Sequence, residues 1–184
     1  MLVKKFLALC ILLASCQTPV TKTSVEERIA FTVPASPWTL TMPKGDFVVE
    51  WQQVEPDGRS GNIMIKDKKK IMTIHFRIKP VSECTDSKSC RDMVYKRDNY
   101  LLENAQNIVQ SEIGGVSYFE FFIPSFVGVP AQMQNMTATF VKDGFLVELH
   151  IVKALYKPEE HEMFERVIKA IKFEPKSVQT QKQE

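Results

Sequence analysis

Met72-Thr73-Ile74-His75-Phe76-Arg77-Ile78-Lys79-Pro80 decides the fold class. Met72, Ile74, Phe76 and Ile78 alternate with Thr73, His75 and Arg77, a period of two that puts one apolar face against a core and one polar face outward. Upstream, Trp38, Leu40 and Met42 alternate with threonines, and Phe47, Val49 and Trp51 alternate with Val48, Glu50 and Gln52, so both stretches are expected to be half-buried strands. Pro56-Asp57-Gly58 marks a turn, a short strand follows over 62–66, and a lysine-rich turn over 66–70 leads into the long strand. Downstream the same period returns over 107–113, 116–123, 133–141 and 145–155. Gly114-Gly115 reads as a tight hairpin turn and Lys142-Asp143-Gly144 as another. The expectation is a mostly antiparallel sheet.

Two helices interrupt it. Residues 89–104 carry Met93, Val94, Leu101 and Leu102 at helical spacing. Residues 158–171 carry Pro158 at the start, Glu159, Glu160 and Glu162 near the positive end of the dipole, and one stripe of Phe164, Val167, Ile168 and Ile171. Each helix is expected on a face of the sheet, which makes the class α+β. The order of several strands, a helix, several strands and a final helix over 36–174 resembles the Mog1/PsbP-like fold, which also occurs in bacterial lipoproteins. That resemblance implies a sandwich whose members are mostly binding or assembly factors without catalytic residues, and it carries no residue-level role.

The start of the chain supplies the address. Lys4 and Lys5 precede the apolar run Phe6 to Ala14, which is too short to span a bilayer, so residues 1–15 read as a signal peptide. Leu13-Ala14-Ser15-Cys16 resembles the lipobox of bacterial lipoproteins, which implies cleavage before Cys16 and acylation of its thiol. Each buried methylene contributes about 0.8 kcal/mol, so two or three acyl chains hold a protein on a membrane essentially permanently. Gln17 after the anchor, rather than aspartate, resembles the pattern sorted to the Gram-negative outer membrane, facing the periplasm. Residues 16–29 then read as lipidated cysteine and tether, with a reach of about 20 Å for a flexible chain. A single α+β domain is expected over 30–175 and a polar tail over 176–184.

Removal of Lys4 and Lys5 with the leader brings the 24 basic residues down to the number of acidic ones, 22. A formally neutral, exported chain is not a nucleic-acid partner. Cys10 leaves with the leader and Cys16 takes lipid, so Cys84 and Cys90 remain as a pair expected to form a disulfide in an oxidising compartment, fastening a loop to the start of the next helix.

Catalytic constellations do not emerge. His161-Glu162-Met163-Phe164-Glu165 lacks the second histidine of a zinc-protease helix and reads as an acidic first turn. Gly115-Val116-Ser117-Tyr118-Phe119 lacks the second glycine of a nucleophile elbow, and no phosphate-cradling glycine loop occurs. No enzyme activity and no cofactor are therefore expected. His75 and His150 fall on the polar phase of two long strands, and pairing of those strands would bring the imidazoles together in a metal or pH-sensitive site; solvated sheet-face histidines are the plainer alternative. Lys66, Lys68, Lys69 and Lys70 surround one acidic residue at a hairpin tip, where they could meet an anionic surface or merely guard a sheet edge. Residues 121–130 stay apolar through Pro124, Gly128 and Pro130, so part of the segment is expected to be loop. Phe122, Phe126 and Val127 then either cover the core or meet a partner. The expected role is a lipid-anchored, non-catalytic binding or assembly factor for an envelope protein complex. The alternatives are a periplasmic inhibitor or immunity protein, and a lipid or metal carrier.

Overall fold

The alternation at 72–80 places that strand inside a seven-stranded antiparallel sheet. A computed structural model describes residues 26–176 except residue 70; the leader, Cys16 and the tail beyond residue 176 lie outside the described residues. The strands are β1 (Arg28–Phe31), β2 (Trp38–Pro43), β3 (Phe47–Val54), β4 (Gly61–Asp67), β5 (Met72–Pro80), β6 (Gln106–Ile113), β7 (Val116–Phe126), β8 (Val129–Lys142), β9 (Phe145–Lys153) and β10 (Lys172–Pro175). The helices are α1 (Ser87–Arg97) and α2 (His161–Ala170). The large sheet runs β3-β4-β5-β9-β8-β7-β6, and a small one runs β1-β2-β10. Two meanders thus meet where β5 pairs with β9, and the chain between them passes through α1. Among the described residues no helix is long and apolar enough to cross a membrane.

The sheet is buried on one face by the small sheet and α2, where Leu40, Ile65, Ile74, Phe76, Leu149 and Phe164 are almost fully excluded from solvent. Burying aliphatic and aromatic side chains of this size contributes about 1.5–3 kcal/mol each, and this layer holds the larger of the two buried apolar clusters. On the opposite face α1 covers only β7, β8 and part of β9, through Cys90, Val94, Phe119, Phe121 and Leu146. The expected one helix per face is what forms, and it leaves the β3-β4-β5 half of that face open.

Both ends of α1 are tied down. At its start Asp86 accepts a hydrogen bond from the Ser89 amide (2.7 Å), and Ser89 Oγ accepts one from the Asp86 amide (3.2 Å), a reciprocal cap. Ser87 Oγ donates to the Thr139 carbonyl and accepts from the Ser117 amide, each at 2.6 Å, which seats the helix on β7 and β8. Cys84 and Cys90 form the expected disulfide between the preceding loop and the first turn.

Several boundaries differ from the sequence reading. α1 ends at Arg97 rather than near 104, and Asn99–Leu102 continues as a tighter 3-10 turn after the Asp98 cap. β1 begins at Arg28, two residues inside the stretch read as tether, and β10 was not expected at all; both are four residues long, too short to show a period. β3 is not half-buried. A bulge between Val49 and Trp51 shifts its register, so Val49 pairs with Ile65 on the covered face while Trp51 pairs with Met64 on the open face, and both remain exposed at the sheet edge.

Of the segment 121–130 only Val127-Gly128 lies outside strand, as the turn that closes a long hairpin; the expected loop is confined to those two residues. β8 pairs with β9 only over Gln134–Lys142, and β6 pairs with β7 only as far as Phe122, so the end of the hairpin stands clear of the sheet as a two-stranded ribbon. That position explains its prolines: Pro124 sits at a register shift between Ile123 and Ser125, and Pro130 lies where β8 has no second neighbour.

Replacing Cys84 and Cys90 by serine is expected to cost about 2 kcal/mol, the chain-entropy value for so short a loop. Urea unfolding of the double variant against the oxidised protein measures it; equal midpoints would show that the capping and Ser87 bonds alone hold this end of α1.

Candidate functional site

The open face is built row by row across the strands. Trp51, Met64, His75, His150, Thr137, Phe119 and Gln110 are consecutive register partners from β3 to β6 and form one transverse row. The Trp51 and His75 rings lie 5.8 Å apart between centroids, and His75 and His150 lie 6.0 Å apart and nearly parallel. The two histidines therefore meet as strand pairing requires. His150 Nδ1 is 3.0 Å from Thr137 Oγ1, while His75 Nε2 is buried with no hydrogen-bond partner. Among the described residues no group of three or more metal-ligating side chains occurs, so the pair stands without a third ligand.

The next row holds Asn62, Arg77, Glu148, Thr139 and Ser117. Glu148 is the buried anion of the face, its side chain fully covered. Arg97, from the last turn of α1, donates to both of its oxygens at 2.9 Å and with its remaining edge grips Asp98 at 2.7 and 2.8 Å. Lys79 Nζ stands 3.2 Å from Glu148, Arg77 3.7 Å, and His150 Nε2 3.7 Å. Burial alone pushes the Glu148 carboxyl up, but the nearby His150 imidazole, the hydrogen bonds from Arg97 and the charges of Arg97 and Lys79 outweigh it and hold the group well below the carboxylate range. Burial, then the neighbouring charges of His150 and Arg77, lower His75 to about 4 against the opposing pull of Glu148. Arg97 and Tyr100 belong to this face without a signal in the sequence, and Trp51, legible there only as a strand residue, joins them; Arg97 reaches Glu148 across 51 positions, a contact no local pattern encodes.

A second feature is the hairpin tip. Phe126, Val127 and Val129 are 64%, 85% and 65% exposed, whereas Phe122 is partly buried opposite Gln134 on the covered side. Val127 has φ +50°, and a β-branched residue in the left-handed region is strained where Asn or Gly would be at ease. The tip carries no charge from Ile123 to Met133. The lysine cluster is more neutral than its sequence implied, since Lys66 pairs with Glu50 at 3.0 Å and Lys68 with Asp46 at 3.2 Å; Lys69 sits at the same turn. His161 opens α2 with Nδ1 3.5 Å from Glu120, which also accepts from Gln134 at 3.1 Å.

No protein-family model matches the sequence, and no curated protein sequence does. Among solved structures, the solution structure of CyanoP, the cyanobacterial PsbP of Synechocystis sp. PCC 6803, matches with a TM-score of 0.51 over 85% of this chain and 98% of that one. The domain has a PsbP-like fold. This agrees with what the order of strands and helices implied. At 9% identity the likeness extends to the fold alone.

Arg97→Ala is expected to cost about 3 kcal/mol in urea unfolding, because it strands a buried carboxylate. Two groups of this face contribute to the acid dependence. Glu148, held below its ordinary 4.5, contributes stability that is complete above that value and lost as the pH falls. His75, lowered from 6.5 to about 4, acts in the same direction: between these values the unfolded chain binds a proton that the native state refuses. Stability should therefore decline from pH 6.5 toward 4, and His75→Asn should flatten that decline; an unchanged slope in the variant would contradict the assignment.

Proposed function

We propose that the chain is a membrane-anchored bacterial lipoprotein whose PsbP-like domain is a non-catalytic binding or assembly factor for a cell-envelope protein complex. The observation that carries this reading is the hairpin tip. A β-branched residue that is 85% exposed and held at φ +50° sits between exposed Phe126 and Val129 on a ribbon clear of the sheet. Such a tip costs stability and contributes nothing to the core, and strain of this kind is retained where a surface is used. A partner of apolar, uncharged surface fits it.

Lys4 and Lys5, the apolar run and Leu13-Ala14-Ser15-Cys16 support the anchor, Gln17 supports an outer-membrane position facing the periplasm, and the Cys84–Cys90 disulfide suits an oxidising compartment. A carrier role is the second reading, favoured by the meeting of His75 and His150 beside a cleft.

Two measurements test the leading reading. Cys16→Ser should abolish incorporation of labelled palmitate and release the protein from membranes; continued membrane association would refute the lipid anchor. Val127→Asn should raise stability by about 1 kcal/mol, since Asn tolerates the left-handed turn position, while weakening recovery of an envelope protein after cross-linking in cells and detergent extraction. A stabilised variant that still recovers the same protein would show that the tip is not the contact.

A further inference from the structure

The open face carries a second site, independent of the hairpin tip. His75, Arg77, Arg97, Asp98, Tyr100 and His150 line a cleft of about 380 Å³ between the end of α1 and the sheet. A smaller recess of about 140 Å³ adjoins it, sharing Asp98 and His150, and is walled by Phe119, Phe121, Asn135, Thr137 and Val152 beside the end of α1. The recess is close to the size of the engineered apolar cavities, about 150 Å³, that accept benzene. A polar mouth and an apolar pocket thus adjoin across Asp98 and His150.

Charge and hydrogen-bonding capacity are unevenly spent around the mouth. The groups facing it are His75, Arg77 and Lys79 from β5, Glu148 and His150 from β9, and Arg97, Asp98 and Tyr100 from the end of α1; Glu50 and Lys66, farther out on β3 and β4, neutralise each other. Arg97 consumes both acids of the mouth with four hydrogen bonds, and Lys79 leans on Glu148 at 3.2 Å. Arg77 is left over. Its guanidinium makes no side-chain hydrogen bond among the described residues, approaches Glu148 only to 3.7 Å, and is 44% exposed. Beside it on the same strand and face, His75 Nε2 is buried without a partner. With neutral imidazoles the three cations exceed the two carboxylates by one charge.

We propose that this cleft binds a small carboxylate carried on an apolar group about the size of a benzene ring. The carboxylate takes the free fork of Arg77 and a hydrogen bond from His75 Nε2, and the apolar body enters the recess against Phe119, Phe121 and Val152. A planar two-oxygen anion matches a guanidinium in a way a point charge does not. One surplus positive charge suits a monoanion, whereas a phosphate dianion would bring a second charge toward Glu148 and Asp98. Arg77 is a binding residue in this scheme, and Trp51 closes the far side of His75.

The chain contains three histidines, and His161, at the start of α2, is an internal control. Full-length protein in detergent, labelled in its histidine rings, is titrated with phenylacetate, acetate, inorganic phosphate and benzyl alcohol while the ring signals are followed by NMR. Phenylacetate is expected to move His75 and His150 to saturation and to leave His161 in place, binding more tightly than the other three probes. Arg77→Gln should weaken it at least tenfold, the loss of one charge-assisted bond. Val152→Phe, which fills the recess, should reduce phenylacetate to the level of acetate. The proposal is overturned if phosphate or benzyl alcohol saturates as tightly as phenylacetate, if Arg77→Gln binds like the parent protein, if phenylacetate gives no saturable shift, or if His161 moves in parallel. Since Arg77→Gln touches no core contact, it remains a test even where Val152→Phe fails to fold.

Discussion

A single carboxylate, Glu148, sets the arrangement of the open face. It lies fully covered in β9, and an isolated charge in that position would cost several kcal/mol. Arg97 answers it with a two-bond clamp from the end of α1, and Lys79 and Arg77 approach from the neighbouring strand. The helix is therefore not free to slide on the sheet: Ser87 fixes its start on β7 and β8, and Glu148 fixes its end on β9. Between those points Val94 and the disulfide-linked Cys90 press on Phe119 and Phe121. The cleft on this side depends on that placement, since Arg97, Asp98 and Tyr100 form its wall and Asp98 also lines the adjoining apolar recess.

The same clamp bears on the hairpin. β7 and β8 are the strands that α1 covers, and the ribbon beyond Ile123 and Gln132, where Tyr156 N–H makes the last backbone bond to β8, is their free continuation. A rigid base lets a short projection hold an exposed, strained valine at a fixed place rather than letting it fold back on the core. The cost of that tip is offset by the buried face of the large sheet, where Ile74, Phe76 and Leu149 are almost fully excluded from solvent. Stability on one face and presentation on the other are separate properties of one sheet.

Much of this was written in the sequence because it depends on local period. The strand at 72–80, the Gly114-Gly115 turn and the stripe of α2 follow from alternation, left-handed turn residues and helical spacing, and each has its place in the structure. The meeting of His75 and His150 was legible only on the condition that their strands pair, which β5 and β9 do. What could not be read depends on distance or on a break in period. A one-residue bulge at Glu50 sends Val49 and Trp51 to opposite faces, although the chain writes them as neighbours on one. Pro124 and Pro130 suggest loop until the ribbon is seen to have no second neighbour there. Arg97 finds Glu148 only once the fold exists.

We propose that the tip, and not the rest of the exposed surface, is where a protein partner docks. Site-specific photo-cross-linking in intact cells tests it most directly, with the photoreactive side chain placed at position 126 or 129 and, as a control, at exposed position 57 in the turn between β3 and β4. The expected result is one discrete protein adduct from 126 and 129, of the same identity, and none from 57. Equal adducts from all three positions, or none from the tip, would contradict the account.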